Sequence, residues 1–203
     1  MTMLSLLLVD DHPLVHVALE AALIKSGHSY VLTAQPDDSQ ALAWLSRQRC
    51  DVLILDIGLP QVDGLQLLKK IRRHYPQQRI IIYTAQEEAL YARLAYQSGA
   101  SGFVHKGASL EQLVRCIEQV MQGERVFPPS LGDEQEENGP GPSLTAKELQ
   151  VLALLSKGLS NLQIAEMLNI SNKTVSTHKK NILRKTGAAN LLELAAVFKE
   201  LAP

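Results

Sequence analysis

Cysteine is scarce in this 203-residue chain: only Cys50 and Cys116, far apart and without metal-ligand spacing. Two isolated thiols exclude a disulfide-stapled secreted scaffold and a zinc ribbon, and they read as reduced thiols of an intracellular protein. A histidine-based metal site is not expected either. Long apolar runs are missing too, and nothing approaches the ~18 residues of a membrane span. Leu4–Val9 is apolar, but it lacks a basic leader and a small-residue cleavage site and runs straight into an acid pair. The expectation is a first strand of a cytoplasmic chain, not a signal peptide. Net charge is nearly absent at −1, and with 46% hydrophobic residues nothing points to global disorder.

The near-neutral total hides an asymmetry. Met1 to Ser143 carries 12 Lys and Arg against 17 Asp and Glu, whereas Leu144 to Pro203 carries 8 against 4. The length is comfortable for two domains. An acidic body with a basic tail suggests two jobs, the second near a polyanion.

Apolar runs and capped amphipathic stretches alternate five times. Strands are expected at Leu4–Val9, Ser29–Thr33, Asp51–Asp56, Arg79–Thr84 and Ser101–Lys106. Helices are expected after Pro13 (apolar positions Leu14, Val17, Ala18, Ala21 and Ala22), after Asp37-Asp38, after Asp63-Gly64, over Glu87–Gln97, and after the capping pair Ser109/Gln112. This alternation predicts an α/β, flavodoxin-like, doubly wound parallel five-stranded sheet over residues 1–124. Residues 125–143 hold Pro128-Pro129, four acids and Gly139-Pro140-Gly141-Pro142, the composition of a flexible linker. From Leu144 to Pro203 the signals are purely helical. Thr145/Glu148, Ser160/Gln163, Ser171 and Asn190/Glu193 cap four helices of a small all-α domain.

Open parallel sheets gather ligands at the C-terminal ends of their strands. The residues delivered there are Asp10 and Asp11, Asp56, Thr84 and Lys106. Three crowded carboxylates repel, and a hard divalent cation such as Mg²⁺ relieves that repulsion, with Gly58 placed to lend a backbone carbonyl. A carboxylate beside such an ion can attack a phosphoryl group, with Lys106 as fixed cation and Thr84 as hydroxyl donor. Taken singly, each of these residues is an ordinary turn, cap or surface residue. Their conjunction in order at four strand ends is what carries the reading. His12 reads as the start of a helix.

Asp10-Asp11, Asp56 with Leu59-Pro60 and Asp63-Gly64, Thr84-Ala85, and Gly102-Phe103-x-x-Lys106 resemble the receiver domain of two-component response regulators. The resemblance implies that Asp56 accepts a phosphoryl group from a sensor histidine kinase, that Asp10 and Asp11 hold Mg²⁺, and that Thr84 and Phe103 form a switch pair. Phosphorylation would then draw Thr84 to the new oxygens and turn Phe103 inward.

Asn172–Thr186 carries Lys173, Lys179, Lys180, Arg184 and Lys185 and no acid. A helical projection puts Lys173, Ser176, Thr177, Lys180 and Arg184 on one face, and Val175, His178 and Ile182 on another. A short helix–turn–helix precedes it, which suits entry into a major groove, with Lys173, Thr174, Ser176, Thr177, Lys179, Lys180 and Arg184 as DNA contacts.

Leu144-Thr145-x-x-Glu148, Gly158-Leu159-Ser160-Asn161-x-x-Ile164-Ala165 and Ser171-x-Lys173-Thr174-Val175-x-x-His178 resemble the LuxR-type DNA-binding domain. Together the two resemblances imply a response regulator of the NarL/FixJ type. Such a protein binds promoter DNA as a dimer through its last helix, here Leu191, Leu194, Ala195 and Phe198. Beyond its own phosphotransfer and dephosphorylation, no enzyme activity is expected. Two rivals differ in class: a phosphorylation-independent regulator with a docking-only receiver, and an aspartyl-nucleophile phosphatase. The phosphatase needs Asp-x-Asp on the first strand, whereas this chain has Asp10-Asp11.

Overall fold

The computed structural model describes residues 3–60, 62–129, 144–188, 190 and 193–194. The chain divides into two compact units, residues 1–132 and 133–203. In the first, β1 (Leu4–Val9), α1 (Pro13–Lys25), β2 (Tyr30–Gln35), α2 (Asp38–Leu45), β3 (Val52–Leu55), α3 (Gly64–His74), β4 (Arg79–Thr84), α4 (Glu88–Gln97), β5 (Gly102–His105) and α5 (Leu110–Met121) alternate. All strand pairings are parallel and the order is β2-β1-β3-β4-β5. That is the expected flavodoxin-like winding, which reverses direction beside β1 and β3.

β3 is central because every residue of Val-Leu-Ile-Leu is fully buried. Leu8, Ile54, Ile81 and Val104 pack with Leu19 and Leu23 of α1 and Leu113 and Ile117 of α5 on one face. By alternation Leu7, Leu53, Ile80 and Ile82 point to the other face. Both cysteines are free thiols, and burial pushes each up to about 12. Neither is therefore a thiolate at neutral pH.

Two expectations need correction. The stripe expected inward on α1 is not the buried one: Leu14 is 77% and Val17 60% exposed, while Leu19 and Leu23 are buried. α1 is apolar on nearly every side, so helical spacing alone could not choose its register. The linker expected from Arg125 also starts too early. Val126 N–H donates to Ser101 O at 3.0 Å and its carbonyl accepts from Phe103 N–H at 2.9 Å. Arg125 stacks 3.7 Å over the Tyr96 ring, which also meets Phe127 edge-on. β5 is an edge strand with unpaired backbone groups, and this short apolar segment supplies partners for them.

α3 approaches the turn after β3 so closely that only glycine fits at its first position. A Cβ on Gly64 would stand 2.2 Å from Ile57 Cα. Gly64→Ala is expected to lose about 1–3 kcal/mol, the range for overpacking a buried contact. Urea unfolding checks it, and an unchanged midpoint would mean that the turn has slack.

The second unit comprises α6 (Ala146–Ser156), α7 (Asn161–Met167) and α8 (Asn172–Thr186). Reciprocal capping boxes start α6 (Thr145 with Glu148) and α7 (Ser160 with Gln163), and Ser171 caps α8. Asn169 takes a left-handed φ of 48° in the turn before α8. Val151, Leu152, Ile164, Val175 and Ile182 form the core, and Leu194 joins them. None of the described helices is long and apolar enough to cross a membrane.

Candidate functional site

Backbone bonds that run one residue past the strands assemble the first site. Asp10 N–H donates to Gln35 O at 3.1 Å and Asp56 N–H to Val9 O at 2.9 Å, so the two acids leave neighbouring strands side by side. Lys106 N–H donates to Thr84 O at 2.7 Å. Its side chain then crosses the strand ends, and Nζ lies 2.5 Å from Asp56 Oδ2 and 2.7 Å from Asp10 Oδ2. The first contact is a hydrogen bond, and the second is an ion pair.

The Asp10 and Asp56 carboxylates are 0% and 5% exposed, so these charges meet in a poorly solvated place. Burial disfavours the Lys106 ammonium, but its close contacts with the Asp10 and Asp56 carboxylates and their charges outweigh it, holding its pKa above the ordinary lysine value. Lys106 is thus cationic throughout the neutral range. Asp56 Oδ1 accepts from Gly58 N–H at 2.7 Å. A Cβ on Gly58 would stand 3.2 Å from that oxygen, so glycine keeps the approach to it open.

Asp10, Asp11, His12 and Asp56 each present a ligand atom within 4.8 Å of one another. Three carboxylates face one ammonium, which leaves negative charge that Lys106 alone does not neutralise. That donor set fits a hard divalent cation. Thr84, expected as hydroxyl donor, is fully buried beside this edge, its Oγ1 accepting from Gln86 N–H at 3.4 Å. Phe103 is already buried, at 3% exposure.

Three neighbours escaped the sequence reading. The Tyr83 ring lies 5.9 Å from Lys106 Nζ. Gln86 Nε2 lies beside Gly58. His12 Nδ1 lies 2.9 Å from Asp11 Oδ1 and 3.1 Å from Asp10 Oδ1. His12 was legible by adjacency to the acid pair, whereas Tyr83 alternates away from Thr84 along β4 and gave no such signal.

The second site is the outer face of α8. Lys173, Ser176, Thr177, Lys180 and Arg184 are all exposed, while Val175 and Ile182 are buried, as the projection required. Thr174 and Lys179 are half-buried. Thr174 Oγ1 is bonded to the cap hydroxyl of Ser171 at 2.7 Å, and Ser176 Oγ accepts from Asn161 Nδ2 at 3.2 Å. Lys185 leaves the cationic face altogether and pairs with buried Glu148 at 2.7 Å, tying α8 to α6. Of the residues expected at a dimer surface, Leu194 is 1% exposed in the unit's own core. Three helices need a fourth apolar contributor to close their core, and Leu194 fills that place. Leu191, Ala195 and Phe198 lie outside the described residues.

Burial works against the Glu148 carboxylate, but hydrogen bonds from Lys185 and Thr145 outweigh it and lower its pKa. Its contribution to stability is complete above the unfolded carboxylate range of about 4.3 and is lost as pH falls through the lower folded value. Glu148→Gln is expected to cost about 2 kcal/mol at pH 7, as for a charged hydrogen bond. The difference from wild type should shrink in acid. Urea unfolding at several pH values checks this, and a pH-independent difference would exclude the charge as its source.

Residues 6–118 match the response regulator receiver domain, and residues 142–198 match the bacterial regulatory proteins of the luxR family. The chain is 35% identical to the Fimbriae Z protein of Salmonella typhimurium over 94% of this chain and 93% of that one. It is 31% identical to the DNA-binding transcriptional activator EvgA of Escherichia coli, over 94% and 95% of the two chains. RcsB of Salmonella enterica serovar Typhimurium, solved bound to promoter rprA in the presence of the phosphomimetic BeF3-, superposes with a TM-score of 0.72 at 25% identity. That superposition covers 98% of this chain and 99% of RcsB. This chain belongs to the two-component response regulators that join a receiver domain to a LuxR-type DNA-binding domain.

Proposed function

We propose that this protein is a cytoplasmic transcription regulator switched by phosphorylation of Asp56 and acting as a dimer on promoter DNA. The supporting observation is the Lys106 ammonium held between the buried carboxylates of Asp10 and Asp56. In the transfer, an Asp56 oxygen bonds to the phosphorus of a kinase phosphohistidine as the P–N bond breaks. The imidazole nitrogen keeps the electron pair and later takes up a proton. Asp10, Asp11, Asp56 and the Gly58 carbonyl would hold Mg²⁺, which when bound neutralises charge on the phosphoryl oxygens. Lys106 keeps its proton and moves its bonds from the Asp56 carboxylate to the phosphoryl group. Thr84 donates its hydroxyl there. The receiver promotes only its own transfer and hydrolysis and turns over no separate substrate.

Phosphorylation replaces the charge on Asp56 with about −1.5 to −2. It thereby biases the Thr84 and Phe103 region between conformations. The segment 125–127, bonded to β5 beside Phe103, is the first part of the chain beyond α5 to meet that change. In the second unit the exposed face of α8 enters the major groove, and the DNA-bound relative supports that placement by likeness. A dimer places two such helices on two half-sites.

The test is binding to promoter fragments with and without beryllofluoride and Mg²⁺. Tighter binding with the analogue is expected. Unchanged DNA binding together with saturable analogue binding favours the rival of a docking-only receiver. Turnover of phosphate esters would favour the phosphatase.

A further inference from the structure

We propose that His12 is a fourth side-chain ligand of the divalent-cation site, biasing it toward ions that accept nitrogen readily, such as Ni²⁺ and Fe²⁺, over Mg²⁺. The inference rests on reading Asp10, Asp11 and Asp56 as the cation cradle and adds a specificity-determining residue to it. His12 stands at the N-cap of α1, where Ser, Thr, Asp or Asn ordinarily bond the first free N–H groups. Its side chain makes no such bond. The ring instead points back to the acids, with Nδ1 2.9 Å from Asp11 Oδ1 and 3.1 Å from Asp10 Oδ1. The backbone holds it there: His12 N–H donates to Asp10 Oδ1 at 2.9 Å. Asp10 Oδ2, 2.7 Å from Lys106 Nζ, and Asp11 Oδ1, 2.9 Å from His12 Nδ1, are buried atoms with an ion-pair neighbour but no hydrogen bond, so each has a lone pair left for a cation.

The dimensions suit coordination. The four ligand atoms lie within 4.8 Å of one another. Opposite ligands of an octahedral ion with bonds of about 2.1 Å stand about 4.2 Å apart. Closing that difference takes a shift of about half an ångström. The His12 side chain is 64% exposed and Asp11 30%, so both can move while Asp10 stays buried. Imidazole nitrogen is a good ligand for Ni²⁺, Zn²⁺ and Fe²⁺, whereas Mg²⁺ prefers oxygen and keeps its waters. Affinity for Mg²⁺ thus depends on the carboxylates, and affinity for the softer ions depends on His12 as well.

The experiment is calorimetric titration of the full chain with Mg²⁺ and with Ni²⁺, for wild type, His12→Ala and Asp11→Asn. It is paired with electron spin-echo measurements of nitrogen coupling to bound Mn²⁺. His12→Ala should weaken Ni²⁺ at least about tenfold, the scale on which a metal site responds to loss of a supporting group, and leave Mg²⁺ within about twofold. The nitrogen coupling should disappear. An equal loss for both ions would make His12 only a brace for the acids and overturn the proposal. Unchanged Ni²⁺ affinity, or nitrogen coupling that survives in His12→Ala, would overturn it too. If Asp11→Asn leaves Mg²⁺ binding intact, the cation cradle itself fails, and that result is separate from any outcome at His12.

Discussion

Asp56→Asn is expected to abolish incorporation of a phosphoryl group from a partner kinase or acetyl phosphate, with residual labelling at least about 10³-fold below wild type. The substitution keeps shape and changes chemistry. The amide oxygen it introduces can still accept the Gly58 N–H that now reaches Asp56 Oδ1 at 2.7 Å. It presents no anionic oxygen to phosphorus, and loss of a nucleophile is among the largest single-residue effects in covalent transfer. The fold should tolerate the change, because Lys106 retains Asp10 at 2.7 Å and one of three repelling carboxylates is gone. Thermal unfolding should therefore be unchanged or shifted upward. Intact-mass measurement after exposure to acetyl phosphate is the check. A phosphorylated Asp56→Asn protein would move the acceptor elsewhere, and peptide mapping would say whether Asp10 or Asp11 had taken the role.

The second large effect is expected on DNA. Replacing Lys173, Lys180 and Arg184 together with alanine should lower the slope of log affinity against log salt by about 2.7, since each phosphate that a side chain neutralises contributes about 0.9. Affinity near physiological salt should fall by roughly 10² or more. All three side chains are exposed on one face of α8, and Val175 and Ile182 hold the opposite face in the core, so the helix should remain folded. Lys185→Ala is the informative contrast. Lys185 belongs to the same helix and carries the same charge, but its Nζ is bonded to Glu148. Removing it should destabilise the second unit and leave the salt slope of the folded fraction unchanged. A slope that moved equally for Lys185→Ala and Lys180→Ala would show that the exposed face has no special part in binding. Thr177 bonds the Lys173 carbonyl at 3.0 Å and Ser176 bonds Asn161, so their substitution should alter sequence preference more than salt dependence.

Much of the fold and of both sites was legible from residue order because both units obey local rules. An apolar run between two helical stripes reads as a buried parallel strand, while the half-buried β2 showed itself by the alternation of Tyr30 and Leu32. Caps are local by nature. Thr145, Ser160, Ser171 and Asp63 each bond a backbone N–H within a few residues, so spacing alone revealed them. The failures share one cause. Leu14 and Leu19 are both leucines on a helix that is apolar on most sides, and only the sheet beneath decides which is covered. Leu194 reads as dimer surface from its apolar stripe, and only the closing of the second unit's core takes it inward. Arg125 and Val126 have linker-like neighbours, but Val126 is held by the free edge of β5 and Arg125 by the Tyr96 ring and the Ala100 carbonyl.

Residue order by itself determined the alternating sheet and its helical tail. It also determined which charged and hydroxyl side chains stand at the strand ends, and that α8 has a cationic side. Those properties follow from periods of two and 3.6 residues and from turn chemistry, which act over a few residues at a time. Tertiary structure alone decided that Lys106 lies between Asp10 and Asp56, that His12 turns back to the acids, and that Leu194 and Lys185 serve the interior. Each of these arrangements joins segments whose mutual distance depends on how whole elements pack, or picks one of several orientations that the local chain allows equally.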